Sequence, residues 1–128
     1  MRILFCGLFF LPLSALAEVV TVDFVRVLND HHEEAVYYDE NNWKQHRIKA
    51  LDRGYISSYK LLVKTSDDGQ TDILLITGYA SDSQYEARED NFAVVMRESR
   101  RDGPALLNDK TPGEFRDVVD GGVFTADP

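Results

Sequence analysis

Residues 55–79 read Tyr55-Ile56-Ser57-Ser58-Tyr59-Lys60-Leu61-Leu62-Val63-Lys64-Thr65-Ser66-Asp67-Asp68-Gly69-Gln70-Thr71-Asp72-Ile73-Leu74-Leu75-Ile76-Thr77-Gly78-Tyr79, two runs rich in β-branched and aromatic residues around a polar turn. Asp68-Gly69 supplies the positive φ that a hairpin needs, so the runs are antiparallel neighbours. Side chains alternate along a strand. Tyr55, Ser57, Tyr59, Leu61 and Val63 therefore point one way and Ile56, Ser58, Lys60, Leu62 and Lys64 the other, while Ile73 and Leu75 oppose Leu74 and Ile76. Apolar residues on both faces predict a sheet covered on both sides.

Working outward, Val19–Val27 is another β-branched run, followed by Asn29-Asp30 as turn and helix-cap chemistry. From about His31 to Arg53 charges abound, Pro and Gly are absent, and Gly54 stands where a left-handed C-cap belongs, which predicts one long helix. Ser81-Asp82 caps a second helix that carries Tyr85, Phe92, Val95, Met96 and Ser99 at helical spacing until Asp102-Gly103-Pro104 ends it. Thr111-Pro112-Gly113-Glu114 has the form of a capping box, and Val118-Val119 with Val123-Phe124-Thr125 gives a fourth strand, bulged or interrupted at Gly121-Gly122.

The order strand, helix, strand, strand, helix, strand is that of the α+β ferredoxin-like βαββαβ sandwich, a four-stranded antiparallel sheet with two helices on one face. Its second face needs a cover, and a copy of the same chain supplies one, which predicts a homodimer.

Taken together, Tyr37-Tyr38, Asn42-Trp43-Lys44, Arg53-Gly54-Tyr55-Ile56-Ser57-Ser58-Tyr59, Thr77-Gly78-Tyr79-Ala80, Gln84-Tyr85, Arg88-Glu89-Asp90-Asn91-Phe92 and Leu107-Asn108-Asp109-Lys110-x-Pro112 resemble a group of uncharacterised exported bacterial proteins, and more broadly the dimeric α/β-barrel superfamily. The resemblance implies protomers that pair their sheets into a barrel. That superfamily holds cofactor-independent monooxygenases, isomerase-like enzymes, haem enzymes and plain ligand-binding modules, so it brings no activity or catalytic residue with it.

At the chain's start, Arg2 precedes the apolar run Ile3–Leu11 and the small-residue end Ala15-Leu16-Ala17, the three parts of a secretory signal peptide cleaved after Ala17. The apolar run is shorter than the roughly 20 residues of a membrane span. Cys6, the only cysteine, leaves with that signal, and residues 18–128 form one exported domain, periplasmic or secreted, with no disulfide and no membrane span. Without Arg2, 13 basic residues face 22 acidic ones, a formal charge of −9 that argues against nucleic acid and anionic lipid as partners.

Advancing about 100° per residue places Asp39, Asn42 and His46 along one border of the first helix's buried stripe. A carboxylate or amide that orients an imidazole is a common acid–base arrangement, although such groups also merely satisfy one another at a stripe's edge. Trp43 lies in the stripe, and Arg47 on the opposite border either binds an anion or covers apolar surface with its stem. Tyr55, Ser57, Tyr59 and Tyr79, with Trp43 and Arg47, are the candidate ligand-binding set. They line a cavity for a small, partly apolar ligand if their face looks into the barrel, and otherwise pack at an interface. His31-His32-Glu33-Glu34 diverge around the helix and do not make a metal set, and no cofactor motif is present.

These readings favour an exported, homodimeric module that binds a small molecule or a protein. The alternative is a small cofactor-independent enzyme, monooxygenase- or isomerase-like, with His46 as base, Asp39 orienting it, and Tyr55, Tyr59 or Asn42 steadying developing negative charge. The enzyme requires His46 and Tyr55 or Tyr59 to open into one cavity.

Overall fold

The structure, a computed structural model, describes residues 18–99 and 102–127; the signal peptide expected over residues 1–17 lies outside them. It is α+β, with one four-stranded antiparallel sheet. Strand β1 is Val19–Val27, β2 Ser58–Thr65, β3 Thr71–Tyr79 and β4 Arg116–Thr125, arranged in the order β2-β3-β1-β4. That arrangement is compatible with a ferredoxin-like sandwich. The Asp68-Gly69 turn joins β2 to β3, with Gly69 at φ 84°.

The first helical run is continuous but not uniform. Helix α1 (His32–Tyr38) passes through a π-helical turn (Asp39–Trp43) into α2 (Lys44–Asp52), and Gly54 at φ 71° ends it as a left-handed C-cap residue. Asn29 and Asp30 both take left-handed conformations in the turn before it and do not cap it; the N-cap residue is His31, whose side chain makes no cap bond. The second helix, expected as one piece, is two: α3 (Asp82–Glu86), capped by Ser81 accepting from the Gln84 amide, and α4 (Arg88–Ser99). Helix α5 (Pro112–Phe115) comes next, where the Glu114 carboxylate reaches back to the Thr111 N–H at 2.6 Å.

Strand β4 is not interrupted at its glycines. Its irregularity falls at Val119, because Phe24 pairs with Asp120 while the next residue, Val25, pairs with Val118. Gly121 instead answers a close approach, since a Cβ there would lie 3.0 Å from Asp23 Oδ1.

The pairing registers assign the faces. Val19, Val25, Val27, Ile73, Leu75, Tyr79, Tyr59 and Leu61 lie on the side packed against Ala35, Ala50, Val95, Trp43 and Phe115, so the helices cover this face. The opposite face carries Val20, Val22, Phe24, Leu62, Leu74, Ile76 and Phe124, none of which belongs to either core cluster. No described helix is long and apolar enough to cross a membrane.

Candidate functional site

A π-helical turn closes on the fifth residue instead of the fourth, so it rotates the helix before it relative to the helix after it. Here it lies among the three groups expected to act together: Asn42 and His46 line one cleft, and Asp39 does not. Asp39, wholly buried, turns toward β4, where Arg116 Nη2 lies 3.2 Å from its Oδ1. The contact is one of charge, because its geometry is not that of a hydrogen bond and neither Asp39 oxygen has a hydrogen-bond donor. Burial pushes the Asp39 carboxyl up to about 6, against the pull of the Arg116 guanidinium. Arg116 itself is steadied over the Tyr38 ring at 5.2 Å.

Asn42 is fully used as a structural clamp. Its Nδ2 donates to Tyr38 O at 2.8 Å and Ala105 O at 2.9 Å, and its Oδ1 accepts from the Ala105 N–H at 2.8 Å. That bond pair pins the segment after α4 onto the first helical run.

His46 is buried and lines a polar cleft of about 290 Å³ with Asn41, Gln45, Lys49 and Ser99. Neither Asp39, Tyr55 nor Tyr59 lines that cleft. Asp39 is thus engaged by Arg116, and His46 lines a cleft that Asp39 does not.

The candidate ligand-binding residues do come together, but as packing. Arg47 lies between the Trp43 ring at 4.7 Å and the Phe92 ring at 4.1 Å, and its Nε donates to Thr77 Oγ1 at 2.9 Å. Burial brings this guanidinium down to about 10, opposed by the nearby Tyr79 and Asp23. Trp43 meets Tyr59 edge-on at 6.2 Å, and Tyr79, itself pushed up by burial, meets Tyr85 edge-on at 5.4 Å. Tyr55 packs on the same cluster. The Ser57 hydroxyl is buried without a hydrogen-bond partner. The face that carries Tyr59 and Tyr79 is thus the one the helices cover, and Trp43, Arg47, Tyr59 and Tyr79 are wedged between helix and sheet.

The open side of the sheet holds what the tyrosines do not. A groove of about 480 Å³ runs over it, lined by Phe24, Leu62, Leu74 and Val119 with Arg26, Lys64 and Asp72 at one end. Arg26 and Asp72 approach to 3.8 Å. Phe24 is 39%, Leu62 46% and Phe124 55% exposed, large apolar groups left in water on one surface. The sequence holds a signal for this face in the alternation Val20, Val22, Phe24 of β1, which continues the Leu62, Leu74, Ile76 side of the hairpin. Among the described residues no group of three or more His, Cys, Asp or Glu is placed to hold a metal ion. Neither the protein-family models nor the curated proteins give a match to this chain.

Proposed function

We propose that the chain is an exported binding module that works as a homodimer, in which two ferredoxin-like sandwiches lay their open sheet faces together as a dimeric α/β barrel. The ligand, a small and partly apolar molecule or a segment of a partner protein, is held between the two grooves. The observation that carries this reading is the open face itself: β1, β2, β3 and β4 all contribute apolar side chains to it, in a chain of formal charge −8 whose remaining surface is richly charged. An apolar face of this kind on a small acidic chain marks an interaction surface.

A second copy suits that face better than an unrelated partner because one protomer contributes a whole four-stranded surface and an isologous contact repeats it without new chemistry. Paired sheets lie about 10 Å apart, which brings Phe24 and Leu74 into contact with the apolar face of the partner. The enzymatic alternative rests on Asp39 acting through His46, and with Asp39 held by Arg116 no geometry favours it.

The test is the mature chain carrying Leu74→Glu, a charge placed at the centre of the open face and away from both core clusters. The reading expects a folded monomer by far-UV circular dichroism and sedimentation where the native chain is a dimer. A dimer of unchanged affinity in the variant overturns it.

A further inference from the structure

One row of residues crosses the open face at the end where β1 leads into α1. The pairing registers place Lys64 of β2 beside Asp72 of β3, Asp72 beside Arg26 of β1, and Arg26 beside Asp117 of β4. In sheet order the row reads plus, minus, plus, minus. The opposite end of the same face carries Ser58, Gly78, Val20 and Phe124, with no charge.

Resting on the homodimer proposed above, we infer that its two-fold axis runs parallel to the strands, so that this row meets itself in reverse. Each possible axis treats the row differently. For sheets packed in the aligned manner, a two-fold lying between them runs either nearly across the strands or nearly along them. An axis across the strands exchanges the two ends of each strand. It lays the charged row over the uncharged end, leaving four charges without an opposite partner, or, if it passes through the row itself, sets each charge on its like.

An axis along the strands keeps every residue at its own level and exchanges left for right. Lys64 then faces Asp117 of the partner subunit, and Asp72 faces Arg26 of the partner subunit, with both contacts repeated by symmetry. All four positions meet the opposite sign. The same axis sets Gly78 against Val20 and Lys60 against Gly122, small against large, and places Leu74 against Phe24 at the middle of the apolar groove. The alignment between packed sheets is imperfect, roughly 30°, but a long lysine stem spans that offset at the margin. The row also fixes the sideways placement of the axis, since an axis over β3 would set Asp72 against its own copy and Lys64 against Arg26 of the partner subunit.

The test is charge reversal measured by sedimentation equilibrium at low salt. Lys64→Glu and Asp117→Lys, each alone, put like charges together at two symmetry-related places and are expected to weaken the native dimer at least tenfold. Combining them restores opposite signs and is expected to return affinity to within about threefold of native. Asp72→Lys with Arg26→Glu, the two central positions of the row, repeats the measurement should either first variant fold poorly. A native dimer indifferent to the single reversals, or one that the double variant fails to rescue, overturns the axis while leaving the dimer standing. A monomeric native chain overturns both.

Discussion

Arg116 sets its guanidinium 3.2 Å from the Asp39 carboxylate, joining the start of β4 to the π-helical turn beneath the helices. The pair decides what the buried acid does. Without Arg116, Asp39 is a carboxylate adjoining a run that leads to His46; with it, the charge is spent on tying the edge strand to the first helical run.

The burial of Asp39 makes stability depend on pH in a direction opposite to that of most carboxylates. Its folded value is raised to about 6 from an ordinary 3.8. Between those values the folded chain keeps a proton that the unfolded chain has lost, so stability falls as pH rises through the window and is fully reduced above about 6. The penalty is on the order of 3 kcal/mol. Urea denaturation at pH 4.5 and 7.5 should show about 2 kcal/mol of this loss in the native chain and a smaller one in Asp39→Asn; an equal loss in both assigns the dependence to other groups.

Arg47 is a packing residue, and its removal should be felt in the fold. Losing two ring contacts and the Thr77 bond, Arg47→Ala should cost about 2–4 kcal/mol by chemical denaturation. Arg47→Met, which keeps the stem between Trp43 and Phe92, should cost less than half as much. An arginine held out for an anionic ligand would behave differently: its alanine variant would stay within about 0.5 kcal/mol of native.

The Asn42 clamp predicts a local effect. Replacing Asn42 by Ala leaves the Ala105 N–H and C=O without their partner, at about 1–3 kcal/mol, and the Ala105 amide should then exchange with solvent far faster than the amides of β1 and β3. Protection of Ala105 that survives the substitution would show the segment to be held by something else.

Much of the fold is legible in the sequence because its signals are local. The β-branched run Val19–Val27 forms β1 with those bounds, Asp68-Gly69 turns the hairpin, and Gly54 stops the helix. The misreadings have one physical source each. A helix periodicity assumes a uniform turn, so it misses the π-helical turn at Asp39–Trp43, which has no compositional mark and stands between the start of the run and His46. Arg116 lies far along the chain, and only tertiary pairing brings it to Asp39. The alternation of β2 and β3 separates the two faces correctly, but Leu61, Ile73 and Leu75 on one side and Leu62, Leu74 and Ile76 on the other are equally apolar. Nothing local says which face the helices take, and the tyrosines, which drew attention as cavity lining, lie on the covered one.

A second copy is proposed to cover the open sheet face, and the mass of residues 18–128 in solution distinguishes a covered face from a bare one. Sedimentation equilibrium of residues 18–128 at micromolar concentration should give twice the chain mass, and Leu74→Glu should halve it. A single-chain mass for the native protein, with its helix and strand content intact, would contradict the account and leave Phe24, Leu62, Leu74 and Phe124 exposed to water.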